Sequence, residues 1–277
     1  MPFITINNRT LHYLDVGEGP ALLMGHTYLA NHSVWREQIN VLSQHYRCIV
    51  PDLWGHGLSS PTPGEKVSVR SLSEDYWVLM QALDIARYSV IGQAVGGMWG
   101  IQMALDYPSS INALVLISPS ALEYTQENRQ FYSELFSFTE RQQTVPRRVV
   151  EQLVPLFFSL ASQQEKPELA MEFEDSLFNM KGDNLSTVVD MGRNILEKSE
   201  GLVGLDRLAV PTLILAGEHA KRCSSKQSQL LSENIQGADL QLIPRAGHLS
   251  SLEQPEAVNL HLSAFLGRVH QEGLITS

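Results

Sequence analysis

The chain of 277 residues is poor in the features that mark whole classes of protein. It has only two cysteines, Cys48 in an apolar strand and Cys223 in a polar loop. That is too few for a disulfide framework, so a reducing compartment, the cytoplasm, is expected. No apolar run approaches the roughly 18 residues that a spanning helix needs, and Met1 to Asn7 show no basic region followed by an apolar core. No membrane partner is therefore expected. Lys and Arg occur singly or in scattered pairs such as Arg147 and Arg148, and the formal net charge is −10. This argues against nucleic acid as a partner and disfavours highly anionic ligands. There is no His-Glu-x-x-His, no clustered Cys/His spacing, no Walker sequence and no Gly-x-Gly-x-x-Gly after a strand; Gly17 and Gly19 read as a turn. No metal and no cofactor is expected.

What is present is an alternation of short apolar runs with helical patterns. Phe3 to Ile6 and Leu11 to Val16 read as two strands joined at Asn7 and Asn8. Ala21 to Met24 and Tyr46 to Val50 are buried runs, separated by a helical pattern over Ser33 to Gln44 that carries Val34, Trp35, Ile39 and Leu42. Pro51 to Ser59 is a glycine-shaped loop in which Asp52 and His56 read as structural. Ser71 and Glu74 have capping-box spacing and predict a helix through Leu83. Tyr88 to Ile91, Ile111 to Ile117, Thr212 to Ala216 and Leu240 to Ile243 complete the strands, with helices over Ser224 to Ile235 and Pro255 to Arg268. The fold class is α/β, with a mostly parallel sheet covered by helices on both faces.

Residues 88–107 organise the rest. A strand becomes a helix within five residues, past Gly92, Ala94, Gly96 and Gly97. So sharp a bend excludes side chains at the flanking positions and brings the helix close to the sheet. The frame Gly92-x-Ala94-x-Gly96 resembles the nucleophile elbow of the α/β-hydrolase superfamily, Gly-x-Ser-x-Gly, with alanine in the nucleophile position. The loop from Pro51 to Ser59 is similar to one common in that superfamily. The resemblance implies an eight-stranded sheet with a helical cap inserted after strand 6. The core is then expected over 1–121 and 205–277, and the cap over 122–204, a helical stretch rich in Phe, Tyr, Met and Leu.

Acyl transfer on this scaffold needs a nucleophile, a histidine base, a carboxylate that orients the histidine and backbone donors for the oxyanion. The resemblance places Ala94 at the nucleophile and His248, after the last strand, at the base. It places the oxyanion donors on the N–H groups of Val95 and of Thr27, whose hydroxyl could add to them. The acid belongs in Gly-x-x-Asp after the seventh strand, where this chain has Ala220 following Gly217. Glu218 lies two residues early, and Glu123, after the sixth strand, is the better substitute. Gln93 has no assigned role.

The alanines are either introduced substitutions or a natural departure. The chain is similar to the aminoacrylate hydrolases of pyrimidine breakdown, a group with alanine at the elbow, at Gly-x-Ala-x-Gly and at Met103 to Pro108. That group keeps an acid after the seventh strand and usually has His where Gln93 stands. The resemblance implies a carboxylic-ester or lactone hydrolase acting on a small, largely apolar substrate, unable as written to form an acyl-enzyme. Two alternatives stay open. One is a non-nucleophilic enzyme with aminoacrylate-hydrolase-like, lyase or oxygenase chemistry on His248. The other is a ligand-binding pseudoenzyme.

Overall fold

A computed structural model describes residues 2–62, 65–119, 125–197 and 203–275. The strands are β1 (Phe3–Ile6), β2 (Arg9–Val16), β3 (Ala21–Gly25), β4 (Arg47–Pro51), β5 (Tyr88–Gln93), β6 (Ile111–Ile117), β7 (Thr212–Gly217) and β8 (Asp239–Ile243). They form one eight-stranded sheet in the order β1-β2-β4-β3-β5-β6-β7-β8. The β1–β2 and β2–β4 pairings are antiparallel, and all others are parallel. The mostly parallel sheet expected from the sequence is present.

Alternation along the strands divides the core into two layers. Leu23, Val90, Leu114 and Ile214 face one layer, with α2 (Val69–Ala82) and α3 (Val95–Asp106) packed there through Leu72, Tyr76, Val95 and Trp99. Leu22, Ile91, Val115 and Leu215 face the other, covered by α1 (Arg36–Leu42) and α11 (Pro255–Ile275) through Leu42, Val258, Leu262 and Phe265. Both faces are buried, which explains why the strands read as unbroken apolar runs. Between β6 and β7 lie α4 (Gln126–Gln142), α5 (Arg147–Phe157), α6 (Leu160–Glu165), α7 (Pro167–Phe178) and α8 (Gly182–Gly192). The helices α9 (Ser225–Asn234) and α10 (Ser250–Glu253) complete the chain.

Helix α2 starts earlier than its spacing suggested. Ser68 is the N-cap, its Oγ accepting from the Ser71 N–H while the Ser71 Oγ accepts from the Ser68 N–H. Ser71 is therefore the third helical residue, and Glu74 is an exposed partner of Arg70. A serine pair closes the box because both hydroxyls reach the opposite N–H.

The loop after β4 is built around Asp52, which is fully buried. Its Oδ2 accepts from His12 Nδ1 at 2.7 Å and from the Leu58 N–H at 3.0 Å, and its Oδ1 accepts from the His32 N–H at 2.7 Å. His32 Nδ1 lies 3.0 Å from both oxygens. Burial opposes the ionised form, but the hydrogen bond and charge of His32 and the Leu58 N–H outweigh it and hold Asp52 below the usual carboxylate range. His12, His32 and Asp52 offer three ligand atoms within 4.8 Å of one another. The donors already crowd both oxygens, so the cluster is a hydrogen-bonded hub.

Asp52→Asn should cost on the order of 3 kcal/mol, because an amide group turns a donor toward N–H groups that have no other acceptor. Since the folded-state pKa lies below the unfolded one, the Asp52 contribution is present above about pH 4 and fades as the pH falls further. Urea melts of both proteins at pH 7 and pH 3 check this: the difference should be large at pH 7 and smaller at pH 3. Equal stabilities at pH 7 contradict it.

Candidate active site

The parallel register brings the C-terminal ends of β3, β5, β7 and β8 together. Gly25 pairs with Gly92, Gln93 with Ile117, and Gly217 with Ile243. The loops that follow carry Thr27, Ala94, Ala220 and His248. In open α/β sheets this edge is where ligands bind.

The corner at Ala94 is strained. Its φ is 49° and ψ −107°, a conformation that non-glycine residues seldom adopt. Its N–H donates to the Ile117 carbonyl at 3.0 Å, which anchors the turn to β6. A Cβ at Gly92 would strike the Gly96 carbonyl, and a Cβ at Gly96 would strike the Gly25 carbonyl. Helix α3 therefore starts in backbone contact with β3 and β5. Val95, its first residue, has an N–H with no hydrogen-bond partner among the described residues, and the Thr27 N–H is likewise free.

The Thr27 turn is set by His26, which is buried. His26 Nδ1 donates to the Thr27 carbonyl at 2.8 Å, and Nε2 accepts from the Leu53 N–H at 2.9 Å. Burial pushes His26 toward neutrality, which that pair of bonds requires. His56 acts in the same way, donating to the Trp54 carbonyl and accepting from the Leu29 N–H at 3.2 Å. Burial pushes its pKa down to about 3. The structural reading of His56 fits these bonds.

His248 follows β8 and is buried, with Nε2 3.5 Å from Thr27 Oγ1 and the ring edge-on to Phe157. Its backbone is held from three directions. The His248 and Leu249 N–H groups both donate to the Phe157 carbonyl at 3.0 Å, tying the loop to α5. Gln93 Nε2 donates to the His248 carbonyl at 2.8 Å, while Gln93 Oε1 accepts from Ser251 Oγ at 3.1 Å. Glu253, fully buried, accepts from the Gly247 N–H and the Ser159 N–H, each at 2.8 Å. Gln93 and Glu253 are positioning residues that local sequence patterns did not reveal.

No orienting carboxylate is found among the described residues. Ala220 is buried in the loop after β7. Glu218 is half-exposed and accepts from the Arg245 N–H, with no hydrogen bond to the imidazole. Glu123 lies outside the described residues. Among the described residues no carboxylate bonds to the His248 ring, and no side chain bonds to Nδ1. Burial and then the positive charge of Arg222, offset by the Arg222 backbone, push the imidazole pKa down to about 4.

Thr27, Ala94, Val95, Arg222 and His248 line one cavity beneath Tyr132, Leu153 and Phe157 of the inserted helices. A second, more apolar cavity, walled by Leu135, Val149 and Val188, shares Tyr28, Leu29, Tyr132 and Leu153 with it. Free space for water-sized groups is about 30 Å³ in each.

Two outcomes are expected. An NMR titration should find His248 neutral down to about pH 4, and unfolding should become easier as the pH falls from about 6.5 toward 4, because only the unfolded imidazole takes up a proton there. A midpoint at 6.5 or above contradicts the arrangement. Gln93→Leu leaves the buried His248 carbonyl and Ser251 hydroxyl unpaired and should cost about 1–3 kcal/mol in a denaturant melt; an unchanged midpoint contradicts the positioning role.

Comparison with known proteins identifies the fold family. The sequence profile of the alpha/beta hydrolase fold matches residues 20–255. The chain is 24% identical over 267 residues to 3-oxoadipate enol-lactonase 2 of Acinetobacter baylyi, covering 96% of each chain. It is 25% identical to pimeloyl-(acyl-carrier protein) methyl ester esterase of Nitrosomonas europaea, covering 89% of this chain and 96% of that one. A solved hydrolase from Pseudomonas aeruginosa superposes with a TM-score of 0.86 at 25% identity, over 96% of this chain and 98% of that one. The sheet order, the elbow and the profile match together show that the chain belongs to the α/β-hydrolase fold family.

Proposed function

We propose that the site is that of a carboxylic-ester or lactone hydrolase that holds ligand without forming an acyl-enzyme. The single observation that supports this is the Ala94 methyl at the strained elbow, in one cavity with an imidazole that no described carboxylate orients. In this reading Ala94 occupies the nucleophile position, His248 the base position and Ala220 the acid position. The free N–H groups of Val95 and Thr27 are the oxyanion donors. The segments 1–121 and 205–277 form the core, and 122–204 the cap. The relatives named as an enol-lactonase and a methyl ester esterase support the choice of ester and lactone bonds.

A methyl group has no proton to give to His248 and no lone pair to attack a carbonyl. Without that attack, the remaining groups bind and polarise a carbonyl, which typically leaves about 10³–10⁴-fold over water. A His248-based lyase or oxygenase would need a carboxylate behind the imidazole, and Glu218 is engaged with Arg245. Neither of the two buried cysteines forms a disulfide, and burial pushes the Cys48 thiol up to about 12. An inert Cys48 thiol and the lack of a disulfide fit a cytoplasmic protein.

Hydrolysis of 4-nitrophenyl acetate and butyrate tests the reading. The chain as it stands should show no acyl-enzyme burst. Ala94→Ser should give a small rise, and Ala94→Ser with Ala220→Asp a further rise of several powers of ten. A burst from the unaltered chain contradicts the reading, as do flat traces from folded variants.

A further inference from the structure

The site holds a cation that the hydrolytic roles do not use. Arg222 lies two residues past the acid position, and its guanidinium carbon stacks 4.8 Å from the Phe131 ring centre and 4.9 Å from that of Tyr132. Its Nη1 donates to Asn128 Oδ1, which fixes the plane of the group. Among the described residues no carboxylate pairs with it, although it lines the same cavity as Thr27, Ala94, Val95 and His248. An acid at position 220 would bring a negative charge to this end of the sheet and repel an anionic ligand. With alanine there, the polar residues that line the cavity among those described are Arg222, His248, Thr27, Tyr28 and Tyr132, beside the free N–H groups of Val95 and Thr27. The Val95 N–H also stands at the positive end of the 12-residue helix α3. Among the described residues that line the cavity there is a cation and no carboxylate.

We propose that this cavity binds a short aliphatic monocarboxylate, its carboxylate paired with Arg222 and its chain directed into the apolar cavity beyond Tyr132 and Leu153. The assignment rests on reading Thr27, Ala94 and His248 as the ligand site. Arg222 presents a planar fork already fixed by two rings and Asn128, the form in which arginine binds a carboxylate at low entropic cost. The adjoining cavity offers the chain an apolar wall of Leu135, Val149 and Val188. Its narrowness selects a short chain and excludes a bulky one. A single carboxylate is compatible with a net charge of −10, because the local cation decides at contact distance and the distant charges are screened.

Isothermal titration with hexanoate and its uncharged isostere hexanamide tests the assignment on the intact chain. Hexanoate should bind, and hexanamide should bind roughly ten- to hundredfold more weakly. Arg222→Gln should weaken hexanoate by a similar factor and leave hexanamide unchanged, and Arg222→Lys should retain part of the preference through its charge. No hexanoate binding, equal binding of acid and amide, or an Arg222→Gln variant that keeps the preference would each overturn the proposal. The ester assay on Ala94→Ser with Ala220→Asp separates the two readings. Ester turnover without a carboxylate preference sinks only the Arg222 assignment. An Arg222-dependent preference without ester turnover supports the assignment and sinks only the hydrolytic reading.

Discussion

The contact on which the site depends is the approach of the Gly96 backbone to the Gly25 carbonyl. No residue with a side chain fits between the start of α3 and the end of β3. That approach forces the corner at Ala94 into positive φ, a strain of about 1–3 kcal/mol that the surrounding sheet must hold. It also aims the first N–H of α3 across the sheet edge toward the Thr27 turn. Moving the helix away by the width of a methyl group would separate these donors. Glycines stand at 92 and 96 although the side chain between them is only a methyl.

The second constraint is the number of buried polar groups that hold the loops. Asp52 gathers His12, His32 and the Leu58 N–H, while His26 and His56 staple neighbouring turns as neutral rings. On the other side Gln93, Glu253 and the Phe157 carbonyl fix the His248 loop to the elbow and to α5. Each group is satisfied by a partner distant in sequence, so the loops have few alternative arrangements. Such a frame can keep the loops at this edge of the sheet in register whatever side chain stands at the elbow.

The sheet and the elbow were legible in the sequence because both have local causes. Apolar runs of strand length report burial on two faces, and glycines crowded around one residue report a turn that nothing else permits. The beginning of α2 was misplaced because Ser71 can serve equally as a cap or as the third residue of a box, and only the contact with Ser68 decides. The roles of Gln93 and Glu253 were not legible, since each depends on a loop over a hundred positions away or on the start of an inserted helix. Arg222 was hidden for the same reason. Its neighbours Phe131 and Tyr132 come from α4, far from it in the chain.

Peptide mapping by mass spectrometry after treatment with a fluorophosphonate is the most direct measurement of the account. The reagent phosphonylates a serine only where an imidazole takes its proton and backbone donors receive the oxyanion. The account predicts that the unaltered chain stays unlabelled and that Ala94→Ser with Ala220→Asp takes one label at position 94. Labelling of the unaltered chain, or a folded variant that takes no label at position 94, would contradict it.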